Sequence, residues 1–128
     1  MATSGDIVRA YTDAWLAGDI GRVLDLYHPD LVLHYGGANP LSGDHRGKGA
    51  AITALLTVQE ATQRVPLAVL DIMESDLHAA AWVRERWIVG GNTVELDRLL
   101  VYRTADGMLA ECWLYDQDQA FVDQVLSG

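Results

Sequence analysis

The sequence has one cysteine, one phenylalanine and three prolines in 128 residues. Cys112 alone closes no intramolecular disulfide and cannot anchor a cysteine-rich zinc site. Basic residues are also scarce. Nine Lys and Arg against 18 Asp and Glu leave a net charge of −9 and a pI near 4.6. So acidic a surface repels nucleic-acid phosphates and anionic lipid, which excludes both as expected partners. No apolar run approaches the ~20 residues of a membrane span, and no basic N-terminal region leads into an apolar stretch. The expectation is a cytoplasmic protein. Half the residues are hydrophobic and 21% are charged, enough to bury a core, and the length fits one domain over residues 1–128.

Helical spacing comes first along the chain. Ile7, Tyr11, Ala14 and Trp15 mark a helix over 4–17, with Thr3 and Asp6 as a capping box and Gly18 as its stop. A short second helix follows Asp19 and ends at Pro29 and Asp30. Residues 31–35 read as a strand running into a Gly-, Asn- and Pro-rich loop over 36–47, and a third helix spans about 49–63. After Pro66 the period changes to two. Strands begin at Leu67, at Ala79, at Thr93 after a Gly90-Gly91-Asn92 turn, and at Met108 after Ala105-Asp106-Gly107. Residues 120–126 suggest a closing helix. Helices followed by an antiparallel meander predict an α+β fold, one sheet wrapped over the helices. Both faces of strand 93–103 are substantially apolar, which predicts that one packs on the helices and the other on a second copy, a homodimer through the back of the sheet.

The order of elements, with Gly18-Asp19-Ile20, Tyr27-His28-Pro29-Asp30 and Gly43-Asp44-His45-Arg46-Gly47, resembles the NTF2-like superfamily, especially its SnoaL-like and ketosteroid-isomerase-like branch. The resemblance covers nearly the whole chain. It implies a cone-shaped fold, with helices packed in a curved, mainly antiparallel sheet. By the same resemblance Tyr11 falls at the ketosteroid isomerases' oxyanion-hole tyrosine, Tyr27 at a supporting tyrosine and Asp97 at a protonated, hydrogen-donating aspartic acid. Cys112, Leu114 and Asp116 would line the cavity. The family's general-base aspartate is replaced by Tyr35, with His34 beside it, and Leu56 stands where a third tyrosine is expected.

Proton transfer next to a carbonyl needs a base near operating pH and donors aimed at the enolate oxygen. Tyr11 supplies a phenolic donor. Asp97 would do so only if an apolar pocket kept it protonated, as in ketosteroid isomerase, the worked case for this effect; the rival reading pairs it with Arg84, Arg86 or Arg98 across strands. His34 is a candidate base because imidazole titrates near neutrality, although strand parity leaves its direction open. Asp116 is the rival base, with an N-cap of the closing helix as its plainer role. Trp15, one helical turn from Tyr11, is expected to touch a ligand, and Tyr27, Tyr35, Trp87, Cys112 and Leu114 complete the expected binding wall. Four tryptophans at helical or strand spacing otherwise suit a core. Arg84-x-Arg86 is similar to the arginine of limonene-epoxide-hydrolase relatives, or else forms an outward salt-bridged face.

His28, His34, His45 and His78 lack metal-ligand spacing, and neither phosphate-loop nor nucleophile-elbow motifs occur. The expected activity is therefore free of metal and cofactor. It is ketosteroid-isomerase-like proton transfer, or a related lyase or cyclase step, on a small hydrophobic carbonyl or enone compound. Epoxide opening and a non-catalytic ligand-binding or dimerising module are the other two readings.

Overall fold

Thr3 and Asp6 form the reciprocal box that starts the first helix. The Thr3 hydroxyl accepts from the Asp6 amide at 3.1 Å, and the Asp6 carboxylate accepts from the Thr3 amide at 3.0 Å. In the computed structural model, which describes residues 2–128, this launches α1 (Ser4–Ala17). Gly18 ends it at φ 72°, a left-handed conformation that a side chain would disfavour. Asp19 caps α2 (Ile20–Leu26) by accepting from the Arg22 amide. The remaining elements are β1 (Tyr27–Tyr35), β2 (Gly43–Arg46), α3 (Lys48–Thr62), β3 (Val65–Glu74), β4 (His78–Val89), β5 (Asn92–Ala105), β6 (Met108–Asp116) and α4 (Gln119–Leu126).

The sheet order is β2-β1-β6-β5-β4-β3, with β1 and β6 parallel and every other pair antiparallel. Two departures from the sequence reading concern β1 and β2. Pro29 and Asp30 do not terminate a helix; they lie within β1, where its register against β6 slips between Tyr27 and Val32. A proline is tolerated at such an irregularity because no ladder bond is required of it. The Gly-rich loop also contains β2, an edge strand paired with β1 from Val32↔Arg46 to Tyr35↔Gly43.

The helices cover one face of the curved sheet, α1 lying over β3 and β4 and α3 over β1. Strand parity then assigns every side chain a face. Tyr27, Leu31, Leu33 and Tyr35 of β1, Val83, Glu85 and Trp87 of β4, Leu96, Arg98, Leu100 and Tyr102 of β5, and Cys112 and Leu114 of β6 are buried toward the helices. Trp82, Arg84, Ile88, Leu99, Trp113 and Tyr115 are more exposed and face the other way. This α+β cone is the predicted fold class.

Candidate functional site

Helix α1 brings Tyr11 down onto β1 and β5. Its hydroxyl lies 2.7 Å from that of Tyr27, and its ring meets that of Tyr102 edge-on, centroids 5.6 Å apart. Burial raises the pKa of all three phenols, so each stays protonated. The rise is larger for Tyr27 and Tyr102 than for Tyr11. Either hydroxyl can be the donor in the 2.7 Å bond.

The tyrosine pair borders a cavity. Tyr11, Tyr27, Tyr102, Cys112 and Leu114 surround a narrow space, about 20 Å³, enough for about one water molecule. Tyr11, Trp15, Tyr27, Leu55 and Arg64 also line a wider crevice of about 210 Å³ between α1, α2 and α3. Apart from the hydroxyls and the Arg64 guanidinium, which lies 5.8 Å over the Trp15 ring, the walls are largely apolar. Burial pushes the Cys112 thiol up to about 12, which keeps it a thiol and unsuited to nucleophilic attack.

Behind the cavity lies a buried ionic network. Arg98 donates to Asp116 through Nε at 2.6 Å and Nη2 at 3.2 Å, and Nη2 also donates to the Tyr35 hydroxyl at 2.7 Å. The arrangement follows from register: Arg98 and Asp116 are direct cross-strand partners on the inner face. Burial opposes the Arg98 charge, but Glu85, Tyr35 and Asp116 outweigh it and hold its pKa above the ordinary arginine value. Glu85 accepts from the Trp87 indole at 2.9 Å and sits 3.6 Å from both Arg98 Nη1 and Arg64 Nη1. Those two gaps are too long for good hydrogen bonds. Glu85 Oε2, Arg98 Nη1 and Arg64 Nε have no hydrogen-bond partner among the described residues.

The ten side chains expected at a site divide sharply. Tyr11, Trp15, Tyr27, Cys112 and Leu114 line the cavity. Tyr35, Trp87 and Asp116 face inward but belong to the ionic network, not to the cavity wall. Asp116 does not cap α4 either; Asp118 does, accepting from the Phe121 amide. Asp97 and His34 are on the wrong face. Asp97 shares β5 with Arg98 and Tyr102 at the opposite parity, and Arg84 grips its carboxylate at 2.8 and 3.2 Å. The Arg84 bond holds its pKa below the usual carboxylate value. An ionised aspartate on the back of the sheet cannot donate beside Tyr11. His34 stacks on Trp113 on that same outer side and bonds Asp44 at 2.6 Å and Glu111 at 2.5 Å. It is not the base of this cavity.

Tyr102, Arg64, Glu85 and Arg98 were not expected as site residues. Tyr102 supplies the third phenol, while Leu56 is exposed on α3. Its signal was parity: once Arg98 is inward, Tyr102 must be. Arg64 carried no pattern, because Gln63 leaves α3 with a left-handed turn (φ 48°) and only that turn aims Arg64 at Trp15.

Comparison with known proteins agrees with this fold. The SnoaL-like domain model matches residues 8–112. No curated protein matches the sequence significantly. Among solved structures, a cystatin-like-fold protein from Xanthomonas campestris is 24% identical over 99% of this chain and 100% of its own, at a TM-score of 0.89. An NTF2-like protein from Burkholderia pseudomallei is 20% identical over the full length of both chains, at 0.82. IdmH from Streptomyces antibioticus, a candidate polyketide cyclase, is 18% identical over 96% of this chain and 99% of its own, at 0.74. The chain belongs to the SnoaL-like family, and it shares its fold with the cystatin-like and NTF2-like structures above.

Proposed function

We propose that this chain is a cofactor-independent enzyme that moves a proton next to a carbonyl group of a small, largely apolar molecule, in an isomerisation or a cyclase-type step. The observation that carries the reading is the Tyr11–Tyr27 pair, 2.7 Å apart at the bottom of an apolar cavity, with Tyr102 against it. When Tyr27 is the donor in that pair, the Tyr11 hydrogen is free for a ligand oxygen. A donor already in place there, in a site of low polarity, stabilises an enolate more than the neutral carbonyl it comes from. Glu85 is the carboxylate assigned to take the proton: it lies behind Arg64 of the cavity wall with Oε2 unbonded, lining neither the cavity nor the crevice itself, so the transfer runs through an intervening water. The carbon–hydrogen pair of electrons passes into the enolate, the proton resides on Glu85, and reprotonation at carbon returns it. Asp97 has no part in this.

The test is α-proton exchange. 2-Tetralone in deuterated buffer, followed by proton NMR, should lose its α-hydrogens faster with the protein than without it. Tyr11→Phe should slow the catalysed rate at least tenfold, the scale of losing one oxyanion donor, and Glu85→Gln should do so with the fold retained. Exchange no faster than buffer would favour a binding module instead.

A second reading rests on the buried Glu85, Arg98, Asp116 and Tyr35 group, where two carboxylates share one guanidinium beside a phenol. Such a set suits epoxide opening: a carboxylate takes a proton from water, the water oxygen attacks carbon, and the phenol protonates the departing oxygen. Styrene oxide in ¹⁸O-water separates the two, since only this reading yields labelled diol lost in Asp116→Asn.

The back of the sheet supports the homodimer. Trp82, Ile88 and Tyr115 stand exposed there, at 45%, 39% and 52%, around the Arg84–Asp97 pair. A reduced Cys112 and an acidic surface suit a cytoplasmic setting.

A further inference from the structure

Among the described residues, Arg64 is the one guanidinium that lines both the inner cavity and the crevice leading to it. Its side chain is only 13% exposed, yet its bonding is incomplete. Nε is buried without a partner among the described residues, and Nη1 stops 3.6 Å short of Glu85 Oε2, itself unbonded. Glu85 is no dedicated counter-ion, because Arg98 Nη1 approaches its other oxygen at the same 3.6 Å. Arg98, by contrast, has a bidentate partner in Asp116. A guanidinium presents five donors in a fixed fork and is costly to bury unless they are used. Here the unused donors sit where an apolar crevice meets a pocket floored by tyrosines.

We infer that Arg64 is a specificity-determining residue whose guanidinium holds an anionic oxygen group of the ligand, a carboxylate or an acidic enol, so that an apolar acid is bound in preference to a neutral molecule of the same shape, which still enters more weakly. The charge is gripped at Arg64 and the ring system lies along Trp15, Leu55 and Ile52 in the crevice. The carbonyl then reaches the Tyr11 hydroxyl. The net charge of −9 makes this local positive site the more selective, since an acid has little reason to bind elsewhere on the surface. The inference rests on the cone being the ligand site proposed above, and adds which class of molecule it favours.

Binding separates it from the catalytic proposal. Isothermal titration with 2-naphthoate and its neutral isostere 2-naphthamide, on the full chain, reads the charge preference directly. Naphthoate should bind at least tenfold more tightly than the amide, as a charge-assisted bidentate pair warrants. Arg64→Gln should reduce that ratio to within twofold. If Arg64→Gln fails to fold, arginine-labelled wild type answers instead: the Arg64 Nε–H resonance should shift with naphthoate and stay fixed with naphthamide. Equal affinities, no naphthoate binding at millimolar concentration, a preference that survives Arg64→Gln, or a resonance indifferent to the acid would each overturn the inference. None of these results bears on whether Tyr11→Phe slows α-proton exchange, so the two proposals fail separately.

Discussion

A single side chain on the wrong side of a strand changes what a site can do, and His34 makes the case. Partial burial pulls its pKa down, but bonds to Glu111 and Asp44 outweigh that and raise it above the ordinary 6.5. His34 and Arg103 likewise overcome burial to lower Glu111 below 4.5, and the His34 bond is the main cause of Asp44 lying below 3.8. The raised histidine gives stability that is fully present below about pH 6.5 and fades as pH rises through its folded pKa. The lowered carboxylates give stability that is present above about pH 4.5 and fades on acidification through theirs. The cluster therefore contributes most between those limits. Thermal unfolding of wild type and His34→Gln should differ more at pH 5.5 than at pH 8.5; a difference independent of pH would remove the ion-paired description. α-Proton exchange should be unchanged in this variant, because the ring is on the outer face.

At the scale of elements, α1 matters because it carries Tyr11, and its start is fixed by the Thr3–Asp6 box. Thr3→Ala should cost about 1 kcal/mol, typical of a lost N-cap, seen as a fall in Tm of about 4 °C for a domain of this size. Exchange activity per folded molecule should survive, since Tyr11 lies two turns away. Much at this scale was legible in the sequence. The capping box, Gly18 and the turn glycines placed α1 and the hairpins, because each of those features acts locally. The start of β1 at Tyr27 was not legible, since Pro29 normally ends a helix and only pairing with β6 keeps the chain extended through it. β2 was missed for a related reason: an edge strand in a glycine-rich loop is held by backbone bonds to β1, which leave no side-chain pattern. For β5, alternation showed two half-apolar faces without saying which was which. The choice is made by Arg98, whose cross-strand partner Asp116 is also inward. Once it is made, Tyr102 joins Tyr11 and Asp97 goes to Arg84. The apolar neighbours of Asp97 in sequence, Leu96 and Leu99, suggested a desolvated acid, but neighbours along a strand point to opposite faces or to the next site over, and the residue directly across, Arg84, decides its charge.

Taken as a whole, the molecule has one covered face and one open one. The covered face holds the tyrosine cavity and the ionic network. Arg98→Ala should be severe, about 3–5 kcal/mol, because it strands Glu85 and Asp116 as buried carboxylates without their shared cation; a loss under 1 kcal/mol by urea denaturation would contradict that account of the interior. The open face presents Trp82, Ile88 and Tyr115, and the dimer expected there should give a light-scattering mass near 28 kDa, twice the 14.0 kDa of one chain. Trp82→Arg should reduce the mass to that of a single chain while the far-ultraviolet circular dichroism stays the same. A wild-type mass of 14.0 kDa would refute pairing altogether.

The account's main commitment is that the working hydroxyl is that of Tyr11 and that the sheet separates it from Asp97. α-Proton exchange of 2-tetralone, measured side by side in Tyr11→Phe and Asp97→Asn, tests both parts at once. Tyr11→Phe should lose at least tenfold, and Asp97→Asn should keep a rate within twofold of wild type. Equal losses in the two variants, or full activity in Tyr11→Phe, would contradict it.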